Sequence, residues 1–303
     1  MKACGILEWG GQLPAVLGFG VEQRRPAALL SLCAARGSPP ALASGPASTD
    51  AALRPSLQAL LWDVDGTLAE TERDGHRLAF NRAFAEAGLP LHWDVQHYGQ
   101  MLKVSGGRER IMAGLTQLRG EPPAAAEVEA LQNAKQGHYA ALVEAGELRL
   151  RPGVSAVITA AAQAGLRQAI VTTSGRPAVE ALARRCLGPL AEAFELWVCG
   201  GDVQRKKPDP EAYHQALERL GLPGAAALAL EDSGNGLQAA LGAGLPCVIT
   251  LSHYGRCEPA GSFAAASAVV EALGPEGVVA QGPACGAGGV TLSYLQQLSA
   301  GAH

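Results

Sequence analysis

What most limits the fold of this chain is a regular alternation over its second half. Short apolar runs at Gln168–Val171, Phe194–Val198, Ala226–Leu230 and Cys247–Thr250 are separated by single helical stretches. Those stretches are about Arg176–Leu187, a segment entered at Asp209-Pro210 and ending at Leu220, and the Gly-rich Asn235–Ala243. A helix over about Gly153–Ala164, closed by Gly165, precedes the first run. Runs this short are strand length, and strands apolar throughout are buried on both faces. Strand and helix in succession predict a parallel sheet covered on both sides, with the active site beyond the carboxyl ends of its strands. Asp209 at the N-cap and Pro210 at the first helical position suit the helix that follows them. A further short strand is expected at Ala268–Val270 and a tail helix at Leu292–Leu298, with Gly274–Gly289 a loose Gly/Pro-rich linker.

Such a sheet needs an earlier strand, and Leu57–Trp62 supplies it, running into Asp63-Val64-Asp65-Gly66-Thr67. Residues i and i+2 of an extended chain point the same way, so Asp63 and Asp65 can face one site. Two close carboxylates repel unless a cation or a shared proton lies between them. One can serve as nucleophile and magnesium ligand, the other as general acid/base. Taken alone, Asp-x-Asp-Gly reads equally well as a polar strand end with a turn. The other strand ends break the tie. After Val171 come Thr172, Thr173 and Ser174, hydroxyl donors suited to a phosphate oxygen. Ahead of the helix at Asp209 stands Lys206-Lys207-Pro208, where a lysine can neutralise phosphate. After Leu230 comes Glu231-Asp232-Ser233, a second carboxylate pair. Each has a bland reading as a turn, a solvated pair or an acidic cap. All four in this order on one sheet edge do not.

Between Thr71 and Gly146 no strand pattern occurs. Leu78, Phe80, Ala83, Phe84 and Ala87 recur at helical spacings within Thr71–Gly88, and Gly88 fits the position just past a helix end. Further helices are expected at about Asp94–Leu102, from Gly106-Gly107-Arg108-Glu109-Arg110 to about Leu118, and over Ala124–Ala145 after Pro122-Pro123. The expected organisation is a core of residues 57–70 and 151–273, a helical insert over 71–150, and a linker with tail helix over 274–303.

Composition narrows the function. The 303 residues are 48% hydrophobic, which suits a globular core with a smaller insert, and a net charge of -4 supplies no basic field for nucleic acid. No apolar run reaches the ~18 residues that would span a bilayer. Seven cysteines without a Cys-x-x-Cys pair argue against zinc and against a secreted disulfide framework. A monomer in a reducing compartment is expected. Up to Thr49 the only acids are Glu8 and Glu22, against Lys2, Arg24, Arg25 and Arg36. That is the composition of an organellar transit peptide over residues 1–50, the alternative being a disordered extension.

The four strand-end motifs resemble those of the haloacid dehalogenase superfamily of phosphotransferases over about residues 57–255, and the helical insert is similar to that superfamily's cap. The resemblance implies a Rossmann-like α/β core with a cap inserted after the first strand. It also implies that Asp63 attacks phosphorus and that Asp65 protonates the leaving alcohol and then activates water. Thr172 and Lys207 would hold the phosphoryl group, beside Thr173 and Ser174, and Asp63, the Asp65 carbonyl and Asp232 would bind Mg2+. A narrower resemblance rests on Glu70-Thr71-Glu72, His76-Arg77, Ala79-Phe80-Asn81, Gly106–Arg110, Asn133-Ala134-Lys135, Lys206-Lys207-Pro208 and Glu231-Asp232-Ser233. Together these look like the CbbY group, phosphatases of xylulose-1,5-bisphosphate, a Rubisco inhibitor, in photosynthetic organisms. The implied setting is the Calvin cycle in the chloroplast stroma. By the same likeness Glu72, Gly106, Gly107, Arg108, Glu109, Arg110 and Lys135 bind the sugar and its distal phosphate. Cations at a helix start oppose its dipole unless an anion lies near, which agrees with that role for the arginines. An apparently inserted residue near Asp74-Gly75 leaves the role of His76 open, and Gln132 and Asn133 stand where the group is more basic. A β-phosphoglucomutase-like sugar phosphomutase would share these motifs. A non-catalytic sugar-phosphate sensor would lack Asp63 or Asp65, and both are present.

Overall fold

The computed structural model describes residues 56–301. Its centre is β1 (Ala59–Trp62), every residue of which is buried. Alternate side chains part to the two faces of the sheet: Leu60 and Trp62 join one apolar cluster, Ala59 and Leu61 the other. The same period of two recurs in β2 (Arg167–Val171) and β4 (Ala227–Glu231), as a sheet buried on both sides requires. With β3 (Leu196–Val198), β5 (Cys247–Thr250), β6 (Ala268–Val270) and β7 (Val279–Gln281) the sheet has the order β3-β2-β1-β4-β5-β6-β7. All pairs are parallel except β6 with β7. The order reverses at β1, so the neighbouring chains diverge beyond its carboxyl end and open a crevice there.

Four of the helices between β1 and β2 form an insert: α1 (Arg77–Glu86), α2 (Val95–Met101), α3 (Gly107–Arg119) and α4 (Ala125–Glu144). They enclose their own core of Phe80, Phe84, Trp93, Tyr98, Ile111, Leu115 and Leu131. This is the helical cap, inserted after the first strand. α5 (Val154–Gln163) leads from the cap into β2, and between and after the remaining strands come α6 (Arg176–Leu182), α7 (Glu211–Leu220), α8 (Gly234–Gly242) and α9 (Leu292–Gly301). Among the described residues no helix is long and apolar enough to cross a membrane.

Local differences from the sequence expectation have identifiable causes. The start of the first cap helix is wound as a wide turn of π type over Glu72–His76, which takes up one extra residue before α1 begins. The stretch expected as one helix over Arg176–Leu187 changes winding in the same way after Leu182. Asp209 is not the N-cap of α7: Pro210 is, and the Asp209 carboxylate instead accepts the Glu211 N–H at 3.0 Å. The segment Gly274–Gly289, expected as a loose linker, contains β7, an edge strand of three residues, none of them buried. The reading of residues 1–50 as a transit peptide or extension lies outside the described residues.

Candidate active site

Motif one leaves the sheet at Asp63, whose N–H still bonds the Leu230 carbonyl at 3.0 Å, so its side chain is fixed by the ends of β1 and β4. Gly66 follows with φ of 88°, and a Cβ there would collide with the Asp232 carboxylate. Glycine is therefore what lets the loop of motif one lie against the second acidic motif.

Lys207 enters from the loop before α7 and is buried. Its ammonium bonds Asp63 Oδ1 at 2.8 Å, Glu231 Oε1 at 2.5 Å and the Val171 carbonyl at 2.7 Å. Burial alone would lower its pKa, yet Asp63 and Glu231 hold it well above the ordinary lysine value. Tyr213 on α7 donates to the same Glu231 oxygen at 2.5 Å. Carboxylate oxygens of Asp63, Glu231 and Asp232 lie within 4.8 Å of one another, all from buried residues. Burial, opposed by a hydrogen bond from Ser252 and reinforced by Glu231, pushes Asp232 up to about 8. Burial likewise raises Asp63, against the pull of Lys207. Three crowded carboxylates at one buried point form a set of hard oxygen donors, and a small divalent cation such as Mg2+ fits that chemistry.

Asp65 is surrounded by donors. Thr71 Oγ1 reaches Oδ1 at 2.5 Å, Ser174 Oγ reaches Oδ2 at 2.5 Å, and His76 Nε2 lies 2.8 Å from Oδ1. Burial would raise its pKa, but His76, Ser174 and Thr71 carry it far below the usual carboxylate range. Lys135 stands behind His76, its Nζ 2.9 Å from Nδ1, and the imidazole stacks on Tyr139. A lysine donor on Nδ1 sets the tautomer in which Nε2–H donates to Asp65. His76, left open by the extra residue before it, is thus brought to Asp65 by the π turn.

A cavity of about 710 Å³ lies between the cap and this edge of the sheet. Of the residues singled out from sequence, Asp63, Asp65, Glu72, Arg110, Thr173, Lys207 and Asp232 line it. On the cap wall, Arg110 donates to Tyr98 Oη at 2.9 Å and faces Glu72 at 3.5 Å, while Tyr98 donates to Glu72 at 2.5 Å. Thr172 is buried beneath the cavity, its hydroxyl accepting the Ser174 N–H at 3.0 Å.

Other expected ligands stand elsewhere. Arg108 points outward, 55% exposed and forked onto Glu129 of α4, because its place on α3 faces that helix and not the sheet. Glu109 is paired with Lys206, where cap meets core, and is not turned to the cavity. Gly106 and Gly107 do not line the cavity either: a Cβ on Gly106 would strike Glu109 and Lys206, and one on Gly107 would strike Gln132, so both serve close packing. Lys135 is buried behind His76, pushed down to about 8 chiefly by that burial. Ser174 is absent from the lining and reaches the site through Asp65 and, at 3.4 Å, His76 Nε2. The structure adds Lys103, Asn235, His253 and Tyr254 to the lining, with Tyr98 buried behind Glu72 and Arg110. Tyr98 belongs to a periodic apolar set and carried no signal separating it from the cap core. Lys103 precedes the glycine pair in a loop and was legible only as a solvated charge.

The family model for haloacid dehalogenase-like hydrolase matches residues 57–244. The chain belongs to the haloacid dehalogenase-like hydrolases. This hydrolase is 43% identical over 225 residues to protein CbbY of Cereibacter sphaeroides, covering 74% of the chain and 96% of that protein. It is 39% identical over 236 residues to a CBBY-like protein of Arabidopsis thaliana, covering 75% of the chain and 72% of that protein. A crystal structure of CbbY from Rhodobacter sphaeroides in complex with phosphate matches it with a TM-score of 0.66 at 43% identity, covering 71% of this chain and 94% of that one. A mutant of the same protein, in complex with xylulose-(1,5)bisphosphate, gives the same values. The hydrolase is an enzyme, a phosphatase of the haloacid dehalogenase type.

Proposed function

We propose that this phosphatase is magnesium-dependent and dephosphorylates a ketopentose bisphosphate, xylulose-1,5-bisphosphate, to xylulose 5-phosphate in the chloroplast stroma. The observation that carries the reading is the single cavity holding Asp63 and Lys207 on its sheet wall and Arg110 on its cap wall. One end suits a phosphoryl group under attack, the other a second anion. The 43% identity to a protein crystallised with that bisphosphate supports the same substrate.

Asp63 is the nucleophile: its carboxylate oxygen forms a bond to phosphorus as the ester bond to the sugar breaks. Lys207 fixes that carboxylate and offsets charge on the phosphoryl oxygens, with Thr172 beneath. For the first step Asp65 must carry a proton, taken up as substrate binds, which it gives to the departing sugar oxygen; it then takes one from the water that hydrolyses the aspartyl-phosphate. His76, Thr71 and Ser174 hold its carboxylate ionised, the form the second step needs. Asp63, Asp232 and the Asp65 carbonyl would hold Mg2+, with Glu231 beside them, and the ion would supply positive charge for the phosphoryl group when bound.

The test is phosphate release, with magnesium, from xylulose-1,5-bisphosphate, xylulose 5-phosphate and glucose 1-phosphate. A preference for the bisphosphate of tens-fold or more in kcat/KM is expected, the worth of roughly 2–5 kcal/mol for a charge-assisted contact in a buried site. Equal rates on all three would refute the substrate. Return of the phosphate to the sugar would mark a mutase. For location, the N-terminus of native protein should fall between Ala34 and Leu57; an intact Met1 in the cytosol defeats the stromal reading.

A further inference from the structure

Arg151 was not singled out from sequence, and it is absent from the cavity lining, yet its side chain is the most heavily engaged of the buried arginines. It stands where the chain returns from cap to core: Leu150 bridges to Ala69, and the Arg151 N–H bonds the Leu68 carbonyl at 2.9 Å. The two strands of the cap's hinge therefore meet at this residue. The guanidinium is buried at 9% exposure and reaches two loops at once. Nη1 faces the Gly66 carbonyl, in the loop of motif one, and the Thr250 carbonyl and hydroxyl at 3.0 and 2.8 Å. Nη2 donates to the Leu251 carbonyl at 2.7 Å. Nε faces Glu70 of the opposite hinge strand at 3.6 Å, and Glu70 in turn accepts the His253 N–H at 3.1 Å.

Both hinge strands thus fasten to the same short loop, residues 250–253. That loop carries Ser252, whose hydroxyl donates to Asp232 Oδ2 at 2.6 Å. Gly66, the other residue Arg151 grips, lies directly against the Asp232 carboxylate. The Thr250 hydroxyl also reaches back to the Glu231 carbonyl at 3.4 Å. We propose that Arg151 is a positioning residue that ties the cap hinge to the metal-binding half of the site, by holding the two loops between which the Asp232 carboxylate is set. A planar fork with five donors can span several acceptors on two loops, which a lysine ammonium on its flexible stem cannot. Partners that orient a metal ligand without touching the metal are worth roughly 10–100-fold in affinity.

The inference rests on the magnesium reading of the carboxylate cluster, and the experiment separates the two. Magnesium binding to the full chain is titrated calorimetrically without substrate, for wild type, Arg151→Lys and Ser252→Ala, with far-UV circular dichroism of each metal-free protein. Arg151→Lys should keep its fold and bind magnesium roughly 10–100-fold more weakly. Its KM for substrate at saturating magnesium should move far less than its half-saturating magnesium concentration. A folded Arg151→Lys that binds magnesium as tightly as wild type overturns the proposal. Should Arg151→Lys not fold, Ser252→Ala carries the test, because it interrupts the same path at its last hydrogen bond; unchanged magnesium binding there overturns it equally. Wild type that binds no magnesium would remove the metal reading itself.

Discussion

Asp63 and Asp65 are two residues apart and live in opposite electrostatic surroundings. Asp63 shares a buried space with Glu231 and Asp232 and is answered by one lysine; Asp65 has three donors and no acidic side chain hydrogen-bonded to it. Environments that push two carboxyl groups apart mark different roles. Asp63→Asn should abolish phosphate release, since an amide does not attack phosphorus. Asp65→Asn should reduce it by about 10²–10⁴-fold, the usual worth of a general acid/base. Steady-state phosphate release checks both. Lys135 supplies a second prediction at this scale. Its folded pKa of about 8 lies below the ordinary lysine value, so the folded chain holds fewer protons than the unfolded chain between the two. The cost of burying the charge is then fully present below pH 8 and is relieved as pH rises toward about 10.4. Lys135→Met should melt at a higher temperature than wild type at pH 7, and the difference should shrink by pH 10. Melting curves across that range check it, and activity should fall because His76 loses its anchor.

At the scale of elements, the parallel sheet and its order of motifs were legible because fully buried strands leave continuous apolar runs, as in Ala227-Leu228-Ala229-Leu230. Strand β7 was not, because an edge strand of three residues, none of them buried, leaves no apolar pattern. The sheet-side residues Asp63, Lys207 and Asp232 were likewise readable, each sitting just past a strand or before a helix. Cap residues were harder. Arg108 and Arg110 are two apart in sequence, and which face of α3 each takes depends on where the helix begins. The helix turns Arg108 out to Glu129 and Arg110 in toward Glu72 and Tyr98. Arg110→Ala should therefore cut kcat/KM for the bisphosphate by tens- to thousands-fold while scarcely affecting slow turnover of glucose 1-phosphate, from roughly 2–5 kcal/mol for a buried charged contact. Arg108→Ala should stay within about fivefold on both, since an exposed ion pair is worth roughly 0–1 kcal/mol. Parallel kinetics on the two substrates distinguish them.

For the molecule as a whole, β1 is the first strand of the sheet to be synthesised and lies in its middle. Its neighbours β2 and β4 come more than a hundred and more than a hundred and sixty residues later in the chain. Contacts so distant in sequence close late and slowly. While a ribosome is still making the cap, Leu57–Trp62 has no sheet to enter, and it waits as a bare apolar ribbon with two unmatched edges. The helices of α1 to α4 can gather their own aromatic core in that interval, so the insert matures before the domain that contains it. A chain halted after residue 150, before β2 and β4 exist, should be cut by protease within Leu57–Trp62 while its cap segment resists; the finished protein should resist at both. Limited proteolysis of the two lengths reads this directly. Placing the nucleophile on the strand that waits longest means that a half-made chain has a cap and no catalyst, and acquires its reactive centre only when β4 closes beside β1.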